Sequence, residues 1–231
     1  MSTAMSSPSP FPAPSAVPSA VPAPPAPPPR PPARRALLRA AREAAADRPW
    51  PRVRMAEVAG AAGVSRQTLY NEFGTKGGLG AALVEQELDA FVERTVRAAG
   101  RAARDGGPVA GCAEAAVRTV RAARRQPLVR AALTGRWESR LPLPGEAPDR
   151  LAVRLRVRMT AALVPALAAA AGTDPATGGS GASGADPLRR ACEVALRLAL
   201  SYVVAPCGGP PETTEEAAGA HVAQVLRALI G

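Results

Sequence analysis

Aromatic residues make up only 3% of this 231-residue chain, and histidine occurs once, as His221. With so few aromatics, any core has to be built from Ala, Leu and Val. Strand-forming residues are sparse, so the composition predicts an all-α protein. A single histidine excludes a His-cluster metal site and makes any Ser-His-Asp triad depend on His221. The three cysteines, Cys112, Cys192 and Cys207, are scattered and include no CxxC pair. Such a set makes neither a disulfide framework nor a zinc site, and it reads as buried or idle thiols in a reducing cytosol. No GxGxxG, Walker loop or HExxH occurs, so no metal, cofactor or catalytic residue is expected and the chain does not read as an enzyme. The longest apolar run, 159–171, is interrupted by Pro165 and falls short of the roughly 18 residues that cross a membrane. No basic region precedes an apolar stretch at the N-terminus, so no signal peptide and no membrane insertion are expected, and the location is read as cytoplasmic.

Proline and arginine are abundant. Half of the 26 prolines lie in residues 1–33, mixed with Ala and Ser. Proline fixes φ and removes a backbone donor, so this stretch is expected to be a disordered, partly polyproline tail. Lys76 is the only lysine among 29 basic residues, and the net charge is +10. That balance favours an anionic partner, either nucleic acid or an anionic lipid surface. The excess is concentrated in two blocks, 34–80 and 101–158.

Helical periodicity begins at Arg34 and stops at Pro49 and Pro51. Two short helices follow, Met55–Ala62 and Ser65–Phe73, the second N-capped by Ser65 and closed by Gly74. A helix is expected from Lys76 to Arg104, then, after Gly106-Gly107-Pro108, another from Val109 to Arg125. Leu128–Trp137 reads as a shorter helix. Asp149–Ala170 reads as a long one kinked at Pro165, and 172–186 as a flexible linker. Pro187–Ala205 and a segment from Thr213 or Thr214 to about Ile230 complete about nine helices.

Met55–Lys76 carries the informative pattern. Ala59, Gly63 and Leu69 have helix-turn-helix spacing: a small residue where the helices cross, a glycine at the left-handed turn, and an apolar residue packing back. Val58, Val64 and Phe73 complete a small core with Leu37, Leu38 and Ala41. An ordinary helical hairpin shares this much of the pattern. The segment AGVSRQTLYNEFGTKGGL goes further and resembles the DNA-binding domain of the TetR family of bacterial one-component regulators, over about Arg34 to Leu83.

Beyond the Pro-rich tail read from composition over 1–33, the resemblance implies a three-helix DNA-binding head over 34–83 and a helical ligand-binding and dimerisation domain over 84–231. It also implies roles. Arg66, Gln67, Thr68 and Asn71 would read bases in the major groove, where Arg forks onto guanine and Gln onto adenine. Tyr70, Lys76, Arg34 and Arg35 would meet phosphate. Some positions depart from the family pattern, among them the usual glycine after the first helix, replaced here by Pro49-Trp50-Pro51. Arg54 stands where a Thr or Ser usually caps the second helix. The large aromatic near the end of the first helix is replaced by Ala44-Ala45-Ala46, with Trp50 placed to fill the space. QPLVRAALTG (126–135) and LRLALSYVVAP (196–206) further resemble an actinobacterial subgroup controlling alkane monooxygenase genes.

A ligand-responsive regulator follows, most simply a repressor that leaves a palindromic operator in double-stranded DNA when a small hydrophobic effector, such as a long-chain alkyl or acyl compound, binds. Leu128, Leu133, Trp137, Val153, Val157 and Met159 are the candidate pocket residues, with Arg130, Arg136 or Arg154 facing an anionic head group. Val194, Leu198, Val203, Val222, Val225 and Leu229 are the candidate homodimer interface. The competing reading is a polyanion binder that uses the basic 101–158 region without sequence preference.

Overall fold

A computed structural model describes residues 33–170, 182–205 and 211–230. The expected Pro-rich tail lies outside these residues except for Ala33, and so does the 172–181 part of the expected linker. Every regular element among the described residues is helical: α1 (Ala33–Asp47), a short 3-10 turn (Trp50–Arg52), α2 (Met55–Ala61), α3 (Arg66–Phe73), α4 (Lys76–Arg125), α5 (Pro127–Thr134), α6 (Pro148–Ala170), α7 (Ala182–Val204) and α8 (Pro211–Ile230).

α1, α2 and α3 pack around one apolar cluster. Leu37, Leu38, Ala41, Val53, Val58, Ala59 and Leu69 are buried in it, and Leu79 and Leu83 join from the first turns of α4. The turn from α2 to α3 follows from Gly63, whose φ of +69° lets the chain reverse. The Val64 N–H then reaches the Ala59 carbonyl at 3.1 Å and the Gly63 N–H reaches the Gly60 carbonyl at 3.0 Å, satisfying two carbonyls at the helix end.

α4 leaves this cluster after Leu83 and enters a second one at Val84. It is not a straight rod. Gly106 and Gly107 depart from helical geometry, Gly107 with a φ of +76°. A Cβ added at Gly111 would lie 2.9 Å from the Ala103 Cβ. In an unbroken helix those two positions are separated by about 12 Å of rise. The 108–125 limb therefore folds back on the 76–105 limb, and nine helical rods stand among the described residues. The second cluster joins Leu88, Phe91, Ala99 and Ala103 to Cys112, Ala115, Ala116 and Val120 of the returning limb, and to buried residues of α5, α6, α7 and α8. Its contacts are close because its residues are small. A Cβ at Gly219 would sit 2.6 Å from the Val117 Cγ2, so α8 lies directly on α4.

Three boundaries differ from the sequence reading. α5 stops at Thr134, three residues early, because Gly135 turns left-handed with φ +72°; Trp137 therefore lies in a loop. α7 starts at Ala182 and runs through Pro187, so 182–186 is helix rather than linker. Pro187 is in the second turn, where its missing N–H forfeits a single helical bond. α8 starts at Pro211, whose fixed φ suits a first helical position. Pro165 lies inside α6, which continues to Ala170.

Candidate nucleic-acid interface

Local chemistry builds α3. The Ser65 Oγ accepts the Thr68 N–H at 3.0 Å, and the Thr68 hydroxyl stands 2.9 Å from the same oxygen. Leu69 is wholly buried and pins the helix to the head core. The opposite side is exposed and carries Arg66, Gln67, Tyr70 and Asn71, spaced at one helical turn. The Gln67 Nε2 donates to the Asn71 Oδ1 at 2.8 Å, so the two amides orient each other. Gln67 keeps its carbonyl and a second N–H for the paired donor and acceptor that adenine presents. Thr68 does not join this face. It is half-buried, and its hydroxyl is drawn into the cap.

The expected phosphate residues divide in two. Tyr70 is 46% exposed in the middle of α3, and Arg35 is exposed with no ion-pair partner among the described residues. Arg34 and Lys76 instead contact other residues of the chain. The Arg34 guanidinium lies 4.7 Å from the Phe73 ring centroid and 3.8 Å from the Glu72 carboxylate. The Lys76 Nζ donates to the Pro51 carbonyl at 2.9 Å and stands 5.7 Å from the centre of the Trp50 ring.

Trp50 is buried against Gly80, where an added Cβ would come within 3.2 Å of the indole. The Trp50 backbone N–H donates to the Arg140 carbonyl at 2.8 Å, which fastens the head to the loop after α5. Arg54 forms no side-chain cap. Arg52 and Arg54, in the stretch leading into α2, are both exposed. The sequence reading passed over this pair, although the missing cap was the available signal.

The six candidate pocket residues do not meet in one cavity. Leu133 and Met159 are core residues, 2% and 0% exposed. The Trp137 Nε1 donates to the Pro142 carbonyl at 3.0 Å. Leu128 lines a cleft between α1 and the α4–α5 junction. Val153 and Val157 are exposed on α6. Together with Thr160, Val164 and Leu196 they line a half-open cleft of about 670 Å³ between α6 and α7, rimmed by Arg156, Arg189 and Arg197. Among the expected head-group arginines, Arg130 pairs with Glu138 at 2.8 Å, and Arg154 pairs with both Glu85 and Glu146.

The candidate dimer residues also divide. Val222 is completely buried within the subunit and cannot face a partner. Val194, Leu198, Val203 and Val225 are half-buried on α7 and α8, and the side chain of Leu229 lies outside the described residues. The exposed residues of these helices include the small Ser201, Ala217, Ala220 and Ala228 alongside Arg197, Glu216, Gln224 and Arg227. The His221 Nδ1 is 3.0 Å from the Tyr202 hydroxyl and ties α8 to α7. No helix among the described residues is long and apolar enough to cross a membrane.

Residues 37–83 match the family model described as bacterial regulatory proteins, tetR family. The HTH-type transcriptional regulator AlkX of Mycobacterium tuberculosis is 40% identical over 52 residues, which is 22% of this chain. The match spans a quarter (25%) of that relative's length. Across most of the chain, the fold is similar to the crystal structure of the TetR family repressor AlkX from Dietzia sp. strain DQ12-45-1b, a protein implicated in biodegradation of n-alkanes. That similarity has a TM-score of 0.54 and 25% identity, and it covers 86% of this chain and 97% of that one. A structure from Mesorhizobium loti MAFF303099, at 15% identity and a TM-score of 0.55 over 85% of this chain and 96% of that one, shows the fold alone. A capped helix-turn-helix head, the family match over it and the AlkX-like fold of the whole agree: residues 37–83 form a TetR-family DNA-binding domain, and the chain around it is similar to a TetR family repressor implicated in n-alkane biodegradation.

Proposed function

We propose that this TetR-family regulator is a homodimeric repressor that leaves a palindromic operator when a small hydrophobic effector binds its helical body. The observation that carries the reading is the exposed Arg66–Gln67–Tyr70–Asn71 face on a helix that Leu69 and the Ser65 cap hold in place. Two such faces related by a two-fold axis read two half-sites of inverted sequence. The head is assigned to 34–83 and the effector and dimerisation domain to 84–231. The dimer forms through the outer sides of α7 and α8, where Val194, Leu198, Val203 and Val225 are half-buried in the single subunit.

The effector site is assigned to the α6–α7 cleft, whose valines suit an alkyl chain and whose rim carries arginine. The similar Dietzia repressor is itself implicated in n-alkane biodegradation, which supports an alkyl or acyl ligand here. An effector that favours one α6–α7 arrangement shifts the heads through α4, which belongs to both clusters, and the shift is limited by its differential affinity for the two states.

The test is selection of sheared genomic DNA on the purified protein, followed by sequencing of the bound fragments. An enriched palindrome, lost with Gln67→Ala and released by a long-chain fatty acid, is the expected result. Diffuse recovery that is insensitive to Gln67 would overturn it in favour of sequence-blind polyanion binding.

A further inference from the structure

α1 and the α4–α5 corner enclose a half-open cleft of about 310 Å³. Its walls come from both parts of the molecule: Ala46 and Pro49 from the head, Leu83 and Glu87 from the first limb of α4, and Gln126 and Leu141 from the body. A junction between domains is a common place for a small ligand, and this volume is at the lower end of such sites. Three features give the cleft a chemistry. Much of its lining is apolar, with Leu83 buried and Leu128 and Leu141 half-buried. Its charge is one-sided, because four arginines line it against a single carboxylate, Glu87. Arg42 stands 3.8 Å from Glu87, and Arg48 pairs with Glu57 outside the cleft. Arg125 and Arg140 are exposed with no ion-pair partner among the described residues. The third feature is polar: the Gln126 Oε1 is buried without a hydrogen-bond partner. An acceptor shut away from water without a donor is unfavourable, and this oxygen has no bond to give up when a donor arrives. Arg125 and Gln126 are adjacent at the corner, so an anion and a donor belong at the same end of one ligand.

We propose that this cleft is a second small-molecule site, separate from the α6–α7 cleft, and that it takes a short-chain or medium-chain 3-hydroxy carboxylic acid. The carboxylate meets the Arg125 and Arg140 guanidinium groups, whose N–H donors suit its two oxygens. The hydroxyl, one methylene removed from the carboxylate, donates to the Gln126 Oε1. The alkyl tail lies against Leu83, Leu128 and Leu141. A ligand held in this way bridges α1 to the α4–α5 corner. It adds a second tie between head and body to the bond from the Trp50 backbone N–H to the Arg140 carbonyl.

The probe is 3-hydroxyoctanoate, titrated calorimetrically into the full chain, with octanoate and 1,3-octanediol as comparisons. The hydroxy acid should bind about tenfold tighter than octanoate, which leaves the Gln126 oxygen unpaired. It should also bind more tightly than the diol, which brings no charge to the arginines. Gln126→Leu keeps the side-chain volume, and it should erase the preference for the hydroxy acid while octanoate still binds. Retained octanoate binding shows that this variant is folded. Arg125→Ala with Arg140→Ala should weaken both acids and leave the diol unchanged. Ala46→Phe fills the cleft and should abolish binding, whereas Val157→Phe, in the α6–α7 cleft, should not affect it. The absence of binding to the unaltered chain, equal affinity for the two acids, or a preference that survives Gln126→Leu would each overturn the proposal. So would binding lost with Val157→Phe and kept with Ala46→Phe, which would place the acid in the α6–α7 cleft. None of these readouts involves DNA, so failure here would leave the operator reading intact.

Discussion

Arg66 in the head and Arg154 in the body are both exposed arginines in basic stretches of sequence, yet they are in opposite states. Arg66 stands on the outer face of α3 with no ion-pair partner among the described residues. Arg154 is held between Glu85 of α4 and Glu146 of the loop before α6, and its bond to Glu85 is the main reason that its pKa is raised. The contrast extends beyond the two. In the 101–158 block Arg118 pairs with Glu114, Arg121 with Glu215, Arg130 with Glu138 and Arg158 with Asp89. Much of that block's charge is therefore spent within the body, in pairs inside single helices and between elements. A net charge read from sequence counts these arginines alike, but only an unpaired guanidinium beside other hydrogen-bonding side chains can read a base edge.

The largest effect tests the head's side of this contrast. Replacing both Arg66 and Gln67 by Ala should weaken operator binding by about 2–6 kcal/mol, since each base contact is worth about 1–3 kcal/mol of discrimination. Fluorescence anisotropy on the selected palindrome measures it. The thermal midpoint should stay within about 1 °C, because both side chains are exposed and away from the Leu69 anchor. Equal losses on operator and random duplex would remove the distinction between reading and fastening.

The head was far more legible in the sequence than the body, for a physical reason. Ser65, Gly63 and Gly74 act on their own backbone neighbours, so their roles are set within a few residues. The body is built from Ala-rich helices, where periodicity leaves the phase of each face ambiguous. Val153 and Met159 looked equivalent in α6, yet one is 53% exposed and the other is fully buried. Val222 and Val225 differ in the same way on α8: the packing of Gly219 against Val117 turns Val222 inward.

A smaller effect sharpens the body's side. The Glu215 side chain is 6% exposed and that of Arg121 is 38% exposed. Losing one partner of a fully buried pair costs about 3–5 kcal/mol, but water reaches Arg121 and recovers much of that. Glu215→Ala should destabilise by about 1–2 kcal/mol, lowering the thermal midpoint by about 3–6 °C for a chain of this size. Calorimetry on the purified protein checks it. Binding to the operator should fall less than with the Arg66 and Gln67 changes, since Glu215 is on α8, in the body.

The smallest expected effect is the most discriminating. The Arg154 and Glu85 side chains are 43% and 41% exposed, and exposed pairs are worth about 0–1 kcal/mol. Arg154→Ala should therefore move the thermal midpoint by no more than about 3 °C. Its meaning lies in the DNA measurement. If body arginines fasten helices and do not hold phosphate, Arg154→Ala leaves both the operator affinity and its slope against salt unchanged. If the basic block is a polyanion surface, losing one phosphate contact lowers the slope of log affinity against log salt by about 0.9. The salt series separates the two because a lost fastening changes stability without changing the number of counterions released. A reduced slope with an unchanged thermal midpoint would transfer Arg154 to the DNA-binding set and collapse the contrast with Arg66.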